Sequence, residues 1–557
     1  MAFRLSIRSA AKITFNQEMN MAKRPYIIIV NPDEMRADSM SHLGNPAAKT
    51  PNLDDFAEND AVSFSNAFCQ NPVCVPSRCS FMTGLYPHVH GHRTMTYLLR
   101  PGEDSLLKEL KESGYYVWMN DRNDLTAGQI DGWSESHADE IHYYEGTRRA
   151  PGPIHPVDKS ENSKNRYSHF HGELGLDEQG ENYTSDDEAI DAAIDRLLHP
   201  IDDRPIAIFL GLFYPHVPYE VEEPYFSSID RKALPPRISS KDAKGKAPIL
   251  SAIRDYSHTE QYEEKDWDEL RATYLGMVSK VDHQFGKLVT ALKKAGIYED
   301  SAIFFFSDHG DFTGDYDLVE KDQNTFEDVL TRVPFLVKPP KGYELDQGVS
   351  SSLVELTDFY ATALRFAGIS SSHTHFGKDL TPILGDRKKE NRDFVLCEGG
   401  REPGEIQADE YHQSGKNGPD PHNDYYPKML AEKDDALHDK GIMLRDHRYK
   451  YVSRSHTQDE FYDLEKDPKE LCNEIHNPVY HEEIQKKKDQ LLKYLQQTAD
   501  VVPFDIDSRF TKKMMWSKLK PLCPQGEEDN VKALIEQGMP FGALIFHCLE
   551  LQKKGEK

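Results

Sequence analysis

Apolar runs are few and widely spaced in this chain, and three of them are continuous rather than alternating. Residues 26–30 (Tyr-Ile-Ile-Ile-Val), 206–213 (Ile-Ala-Ile-Phe-Leu-Gly-Leu-Phe) and 301–306 (Ser-Ala-Ile-Phe-Phe-Phe) predict strands buried on both faces, as in a parallel sheet covered by helices. Residues 115–119 and 334–338 predict two more strands. Between them the apolar period lengthens. Tyr274, Val278, Val281, Phe285 and Leu288 form the core-facing stripe of a long helix from 267 to about 295. Helices are also predicted over 103–113, over 185–198, where Ser185-Asp186-Asp187-Glu188 reads as a capping box, over 353–368 and over 480–498. Strands alternating with helices predict an α/β fold. Residues 442–452 read as a hairpin of a smaller, antiparallel region.

Three stretches lack any period: 140–183, 220–265 and 399–440. The first is rich in His, Tyr, Gly and Asn and reads as loops over the sheet edge, where specificity tends to reside. The third holds His412, Lys416, His422, Tyr425 and Tyr426; it is read as a lid over a site, with a disordered surface loop as the equal alternative. The resulting division is a leader over 1–23, a large α/β domain over 24–390, a C-terminal α+β subdomain over 391–510, and an extension over 511–557. Residues 531–551 suit an amphipathic helix packing on this or another subunit, which makes a homo-oligomer one reading.

A length of 557 residues exceeds what one core usually holds. Lys plus Arg number 67 and Asp plus Glu 94, a formal charge of −27. Such a surface repels nucleic acid and anionic membranes, and an anionic substrate must find a local basic pocket. The basic N-terminus has no continuous apolar segment of the signal-peptide kind, and no run reaches transmembrane length, so a cytoplasmic location is expected. Seven cysteines show neither a disulfide framework nor zinc spacing.

Chemistry gathers at the ends of the predicted buried strands, where open α/β sheets place ligands. Asp33 and Glu34 follow the first strand, and Asp308 and His309 follow the strand at 301–306. Three carboxylates and an imidazole make a mainly hard-oxygen set, suited to Ca²⁺, Mg²⁺ or Mn²⁺. Cys74 opens a short predicted helix stopped by Gly84, with Pro76 and Arg78 two and four residues on. A thiol at a helix N-terminus beside an arginine is a candidate nucleophile at an anion site. For an isolated Cys-x-Pro-x-Arg, a buried structural cysteine is the commoner outcome.

The surrounding words change that balance. Residues 74–87, CVPSRCSFMTGLYP, resemble the signature of type I sulfatases in the alkaline phosphatase superfamily. Thr50-Pro51-Asn52-Leu53-Asp54, Pro215-His216-Val217-Pro218, 377–384 and the closing word around 460–468 are similar to further sulfatase words in the same order. The resemblance implies an alkaline phosphatase-like three-layer α/β/α sandwich with a smaller C-terminal subdomain. It implies oxidation of Cys74 to formylglycine (3-oxoalanine) by a sulfatase-maturation enzyme, and a cation, Ca²⁺ by preference, held by Asp33, Glu34, Cys74, Asp308 and His309. Arg78, Arg122 and Lys321 would neutralise sulfate oxygens, and His216 would protonate the leaving alcohol. The hydrated aldehyde would attack sulfur, and its second hydroxyl would expel sulfate.

Two departures stand out. Family members often carry Gly-Lys-Trp-His where this chain has Asp121-Arg122-Asn123-Asp124; arginine can replace the lysine, whereas Asp124 is no neutral donor. His309 stands where many relatives have asparagine, and an Asp-His pair also occurs in related phosphonate and phosphate monoester hydrolases. The expected activity is release of sulfate from a sulfated sugar or glycan. A phosphonate or phosphate monoester hydrolase is the alternative, and a non-catalytic glycan-binding relative is a third reading. Asp124, His92, Arg93, His412 and Lys416 are the candidate substrate contacts.

Overall fold

A computed structural model describes residues 24–146, 148–405, 420–502, 504 and 509–555. Its strands, in chain order, begin with β1 (Tyr26–Pro32), β2 (Val62–Phe68), β3 (Tyr116–Asn120), β4 (Glu140–His142) and β5 (Phe170–Leu174). They continue with β6 (Ile206–Leu212), β7 (Tyr219–Glu222), β8 (Ser301–Phe306), β9 (Phe335–Lys338) and β10 (Gly348–Glu355). The last four are β11 (Val395–Gly399), β12 (Gly441–Arg445), β13 (Tyr449–Arg454) and β14 (Glu460–Asp463).

Eight strands form one sheet in the order β10-β2-β9-β8-β1-β6-β3-β4, parallel except for β9, which runs against both neighbours. The three continuous apolar runs lie side by side at its middle: Val30 of β1 faces Leu210 of β6 and Phe305 of β8. Along β1 the side chains alternate. Ile27 and Ile29 pack with Phe81 and Phe359 on one face, and Ile28 and Val30 pack with Val281 and Phe285 on the other. The helices α1 (Pro51–Asn59), α3 (Ser185–Leu198) and α4 (Glu264–Lys294) cover the second face, and α2 (Cys74–Thr83) and α5 (Thr357–Ala367) cover the first. Burial on both sides is why these strands show no alternation. The layers make the three-layer sandwich expected from the sequence, and β11–β14 form the expected small antiparallel sheet.

Several local expectations are corrected. Leu353 belongs to β10, and helix α5 begins only at Thr357. The cap of α3 is Thr184 with Asp187, one residue ahead of the pattern read from Ser185. The stretch 140–183 holds the short strands β4 and β5, too short and half-buried to show a period. Within 220–265 a helix, Pro248–Ser257, buries Ile249, Leu250 and Ile253. Residues 372–374 and the described residues from 502 onward separate as a second compact unit; its helices Lys512–Leu519, Glu528–Glu536 and Phe541–Gly555 close on Leu519, Val531, Ile535, Leu544 and Cys548. No described helix is long and apolar enough to cross a membrane. None of the seven cysteines is in a disulfide.

Candidate active site

Four segments meet at the carboxyl edge of the central strands. β1 delivers Asp33 and Glu34, β8 delivers Asp308 and His309, the turn after β6 delivers His216, and α2 begins at Cys74. Asp33, Glu34, Cys74, Arg78, His216, Asp308, His309 and Lys321 are all buried.

Two guanidiniums fix the carboxylates. Arg78 donates from Nε to Asp308 Oδ2 at 2.9 Å and from Nη2 to Asp33 Oδ2 at 3.0 Å, while its Nη1 reaches the Arg122 carbonyl at 3.1 Å. Arg122 donates from Nη2 to the same Asp33 Oδ2 at 2.5 Å, with its guanidinium 4.6 Å from the centre of the Phe213 ring. Asp33 Oδ2 is thereby saturated. Burial alone would raise the Asp33 pKa, but Arg122 and Arg78 beside it hold the carboxyl well below the usual range. Asp308 Oδ1 accepts from the amides of Glu34 and His309, so the lone pair left to it is on Oδ2. Gly211 lets this lattice close: a β-carbon there would lie 2.2 Å from the Arg122 carbonyl oxygen.

The remaining acceptors point to one place. Asp33 Oδ1, Glu34 Oε1 and His309 Nε2 are buried without a hydrogen-bond partner. His309 Nδ1 lies 2.9 Å from the Gly310 carbonyl, which places the proton there and leaves the Nε2 lone pair free for a cation. Ligand atoms of Asp33, Cys74 and His309 lie within 4.8 Å of one another, as do those of Asp33, Glu34 and His216. Two bare carboxylate oxygens, a correctly protonated imidazole and Asp308 behind them fit a divalent cation that prefers oxygen. Glu34 has a left-handed backbone, φ 67°, held by its amide on Asp308 and by the Tyr274 hydroxyl on its carbonyl. A non-glycine residue there costs on the order of 1 kcal/mol or more, and such strain clusters at functional sites. Burial pushes the Glu34 pKa well up, and Lys321 opposes this only in part.

A second polar group lies beside this ring. His216 Nδ1 sits 2.8 Å from the Val217 carbonyl, and its Nε2 lies 2.9 Å from Lys321 Nζ. Lys321 also contacts Glu34 Oε2 at 3.4 Å and Glu320 Oε1 at 2.7 Å. Glu320 is held in turn by Lys428 at 2.9 Å, on α6 (Tyr426–Glu432), so α6 touches the lysine through one carboxylate. Next to Arg122 and His216 opens a cleft of about 570 Å³, walled by Lys159, His169, His171, Phe213, His422 and Tyr425 among others. Burial lowers the His169 pKa to about 4, so His169 is a neutral imidazole at neutral pH.

Of the sequence-derived substrate contacts, Asp124 lies at the site, 3.4 Å from Arg78 Nη1. His92 instead meets the Tyr97 carbonyl and Glu103, and Arg93 meets Glu405 and the Gly400 carbonyl. His412 and Lys416 lie outside the described residues. Lys159, His169 and His171 were not singled out in the sequence, although their loop was. Behind the ring, Tyr219 joins Asp311 across 92 residues and Tyr274 joins Glu34 across 240, and no local pattern announces either contact, although Tyr274 itself was legible as a core-facing position.

An α/β/α sandwich whose central strand ends gather carboxylates, imidazoles and a helix-opening thiol defines an alkaline phosphatase-like ester hydrolase. The chain belongs to the sulfatase family: the family model "Sulfatase" matches residues 25–369, and the protein is an enzyme of that family, hydrolysing sulfate esters. It is similar to an arylsulfatase of Clostridium perfringens, 24% identical over 512 residues that cover 85% of this chain and 95% of the relative. It is also similar to an N-acetylglucosamine-6-O-sulfatase of Bacteroides thetaiotaomicron, 23% identical with 89% of each chain covered. The structure of a phosphonate monoester hydrolase of Agrobacterium radiobacter superposes with a TM-score of 0.66 at 22% identity, covering 85% of this chain and 96% of that one.

Proposed function

We propose that the enzyme releases inorganic sulfate from a sulfated carbohydrate, using a formylglycine made from Cys74 and a divalent cation, Ca²⁺ by preference. The observation that carries the reading is the gathering round Asp33 of buried atoms without hydrogen-bond partners, Asp33 Oδ1, Glu34 Oε1 and His309 Nε2, with ligand atoms of Asp33 and His309 within 4.8 Å of the thiol that opens α2. When in place, the cation and the hydrated aldehyde supply an acidified oxygen nucleophile and a Lewis acid for a sulfate oxygen.

The chain's own groups do the rest. Arg78, fully buried between Asp33 and Asp308, holds the carboxylates in position. Arg122, with its side chain 26% exposed, is the guanidinium that presents to the incoming ester, and Lys321 adds a second cation. The proton needed by the leaving alcohol is held between Lys321 Nζ and His216 Nε2. The carbohydrate reading rests on the cleft beside Arg122, whose imidazoles, Phe213 and Tyr425 offer stacking faces and hydrogen-bond groups, and on the glucosamine sulfatase among the relatives.

Mass spectrometry of the Cys74 peptide is the direct test. An aldehyde in place of the thiol is expected, and active protein with an intact thiol would overturn the mechanism. A screen of sulfated mono- and disaccharides for free sulfate then tests the substrate class. The second reading, a phosphonate or phosphate monoester hydrolase, draws on the Asp308-His309 pair and the superposition on a phosphonate monoester hydrolase. Catalytic efficiency on aryl sulfate against aryl phosphonate separates the two; dominant phosphonate turnover would sink the first.

A further inference from the structure

Beyond the nucleophile helix, the chain carries three histidines in five residues, His88, His90 and His92. His88 is absorbed by Glu398 and Thr498. The other two meet on one carboxylate oxygen, with His90 Nδ1 3.0 Å and His92 Nε2 3.2 Å from Glu103 Oε1. The three ligand atoms lie within 4.8 Å of one another.

The protons do not balance for a neutral hydrogen-bonded group. His92 Nδ1 lies 2.6 Å from the Tyr97 carbonyl, an acceptor, so its proton is there. A neutral ring then turns the Nε2 lone pair toward Glu103 Oε1, also an acceptor. The contact requires either an imidazolium or a cation shared by Nε2 and Oε1. A ring nitrogen anchored on a carbonyl with its partner free is the usual arrangement of a metal-ligating histidine. The spacings agree: a tetrahedral zinc ion with ligands at about 2.0–2.1 Å sets neighbouring ligands roughly 3.3 Å apart. The second oxygen of Glu103 is held by the Arg100 amide at 2.7 Å. The side chains are 34%, 11% and 20% exposed, so an ion can enter from solvent.

We propose that His90, His92 and Glu103 form a second metal site, for a zinc-class divalent cation, separate from the oxygen-rich site at Asp33. Two imidazoles and one carboxylate favour Zn²⁺, Co²⁺, Ni²⁺ or Cu²⁺ over Ca²⁺. The site clips together the two ends of the 90–103 loop. Within that loop Met95 lies against the thiol, its Sδ 3.6 Å from Cys74 Sγ. An ion here would fix the loop that walls the nucleophile without touching substrate.

The test is titration of the full-length protein with Zn²⁺ and with Co²⁺ in excess Ca²⁺, which occupies the oxygen-rich site. One equivalent is expected, with Co²⁺ giving visible d–d bands and ordering the loop against proteolysis. His90→Ala, at a partly exposed position, and Glu103→Gln, which keeps an oxygen for the Arg100 amide, should each weaken binding by at least tenfold and abolish the bands. Asp33→Ala should leave that equivalent in place. A wild type that takes up no Zn²⁺ under these conditions, or a His90→Ala variant that binds like wild type, would overturn the site and leave an imidazolium–carboxylate pair.

Discussion

Arg122 does two things at once: it neutralises Asp33 and lies over the Phe213 ring. Lysine would keep the charge but lose the fork and the stacking face. Arg122→Lys is therefore expected to lower kcat/KM roughly 10- to 100-fold, the worth of one charged hydrogen bond; parity with wild type in steady-state kinetics would remove Arg122 from the site. His216 is a different case, because the role proposed for it concerns the leaving group. His216→Ala should cost about 10²- to 10⁴-fold in kcat on an alkyl or sugar sulfate and far less on a nitrophenyl sulfate, whose phenolate leaves unaided. Equal losses on both substrates would assign His216 to binding instead.

At the scale of elements, the sheet and its helices touch the site through close approaches. Gly211→Ala pushes β6 off the Arg122 carbonyl that receives Arg78. It should destabilise the fold by about 1–3 kcal/mol and depress activity more than stability, as read by denaturant midpoints beside kcat/KM. On the opposite face Asp282 of α4 accepts from the amides of Asn52 and Leu53 and so caps α1 from another element. Burial raises its pKa from 3.8 to about 6. The folded state then binds a proton that the unfolded state releases, so this group's contribution is present below about pH 4 and lost as pH rises through 6. Wild type should gain stability over Asp282→Asn by about 1.4 kcal/mol between pH 7 and 5; parallel pH profiles would contradict the burial argument. The strands that carry the site were legible because both their faces are buried, which leaves unbroken apolar runs. The bounds of β10 and α5 were not, since Leu353 and Val354 suit either element at the turn between them. For the same reason of length, β4 and β5 left no period to read.

For the whole molecule, the formal charge of −27 encloses a site built around Arg78, Arg122 and Lys321. Its buried acids should make the fold depend on the cation. Chelation is expected to abolish turnover and lower the melting temperature, with Ca²⁺ restoring both; free Ca²⁺ at 100 to 1,000 times its Kd stabilises by about 3–4 kcal/mol. Full activity in protein shown metal-free by elemental analysis would refute the assignment. Cys74, Asp33, Asp308 and His216 were legible because each stands in a short word at or just beyond a strand or helix end, and Lys321 because it lies in a word just ahead of Arg332-Val333-Pro334. The contacts of Glu320, Lys428 and Tyr274 were not, since they exist only once distant segments fold together.

The pairing of Lys428 with Glu320, and of Glu320 with Lys321, has an evolutionary consequence. Here the segment that supplies His422 and Tyr425 to the cleft continues into the helix whose lysine balances a carboxylate beside Lys321. An enzyme recombined at this segment keeps its buried charge balance only with a cation at position 428, so the cleft wall and Lys321 are inherited together.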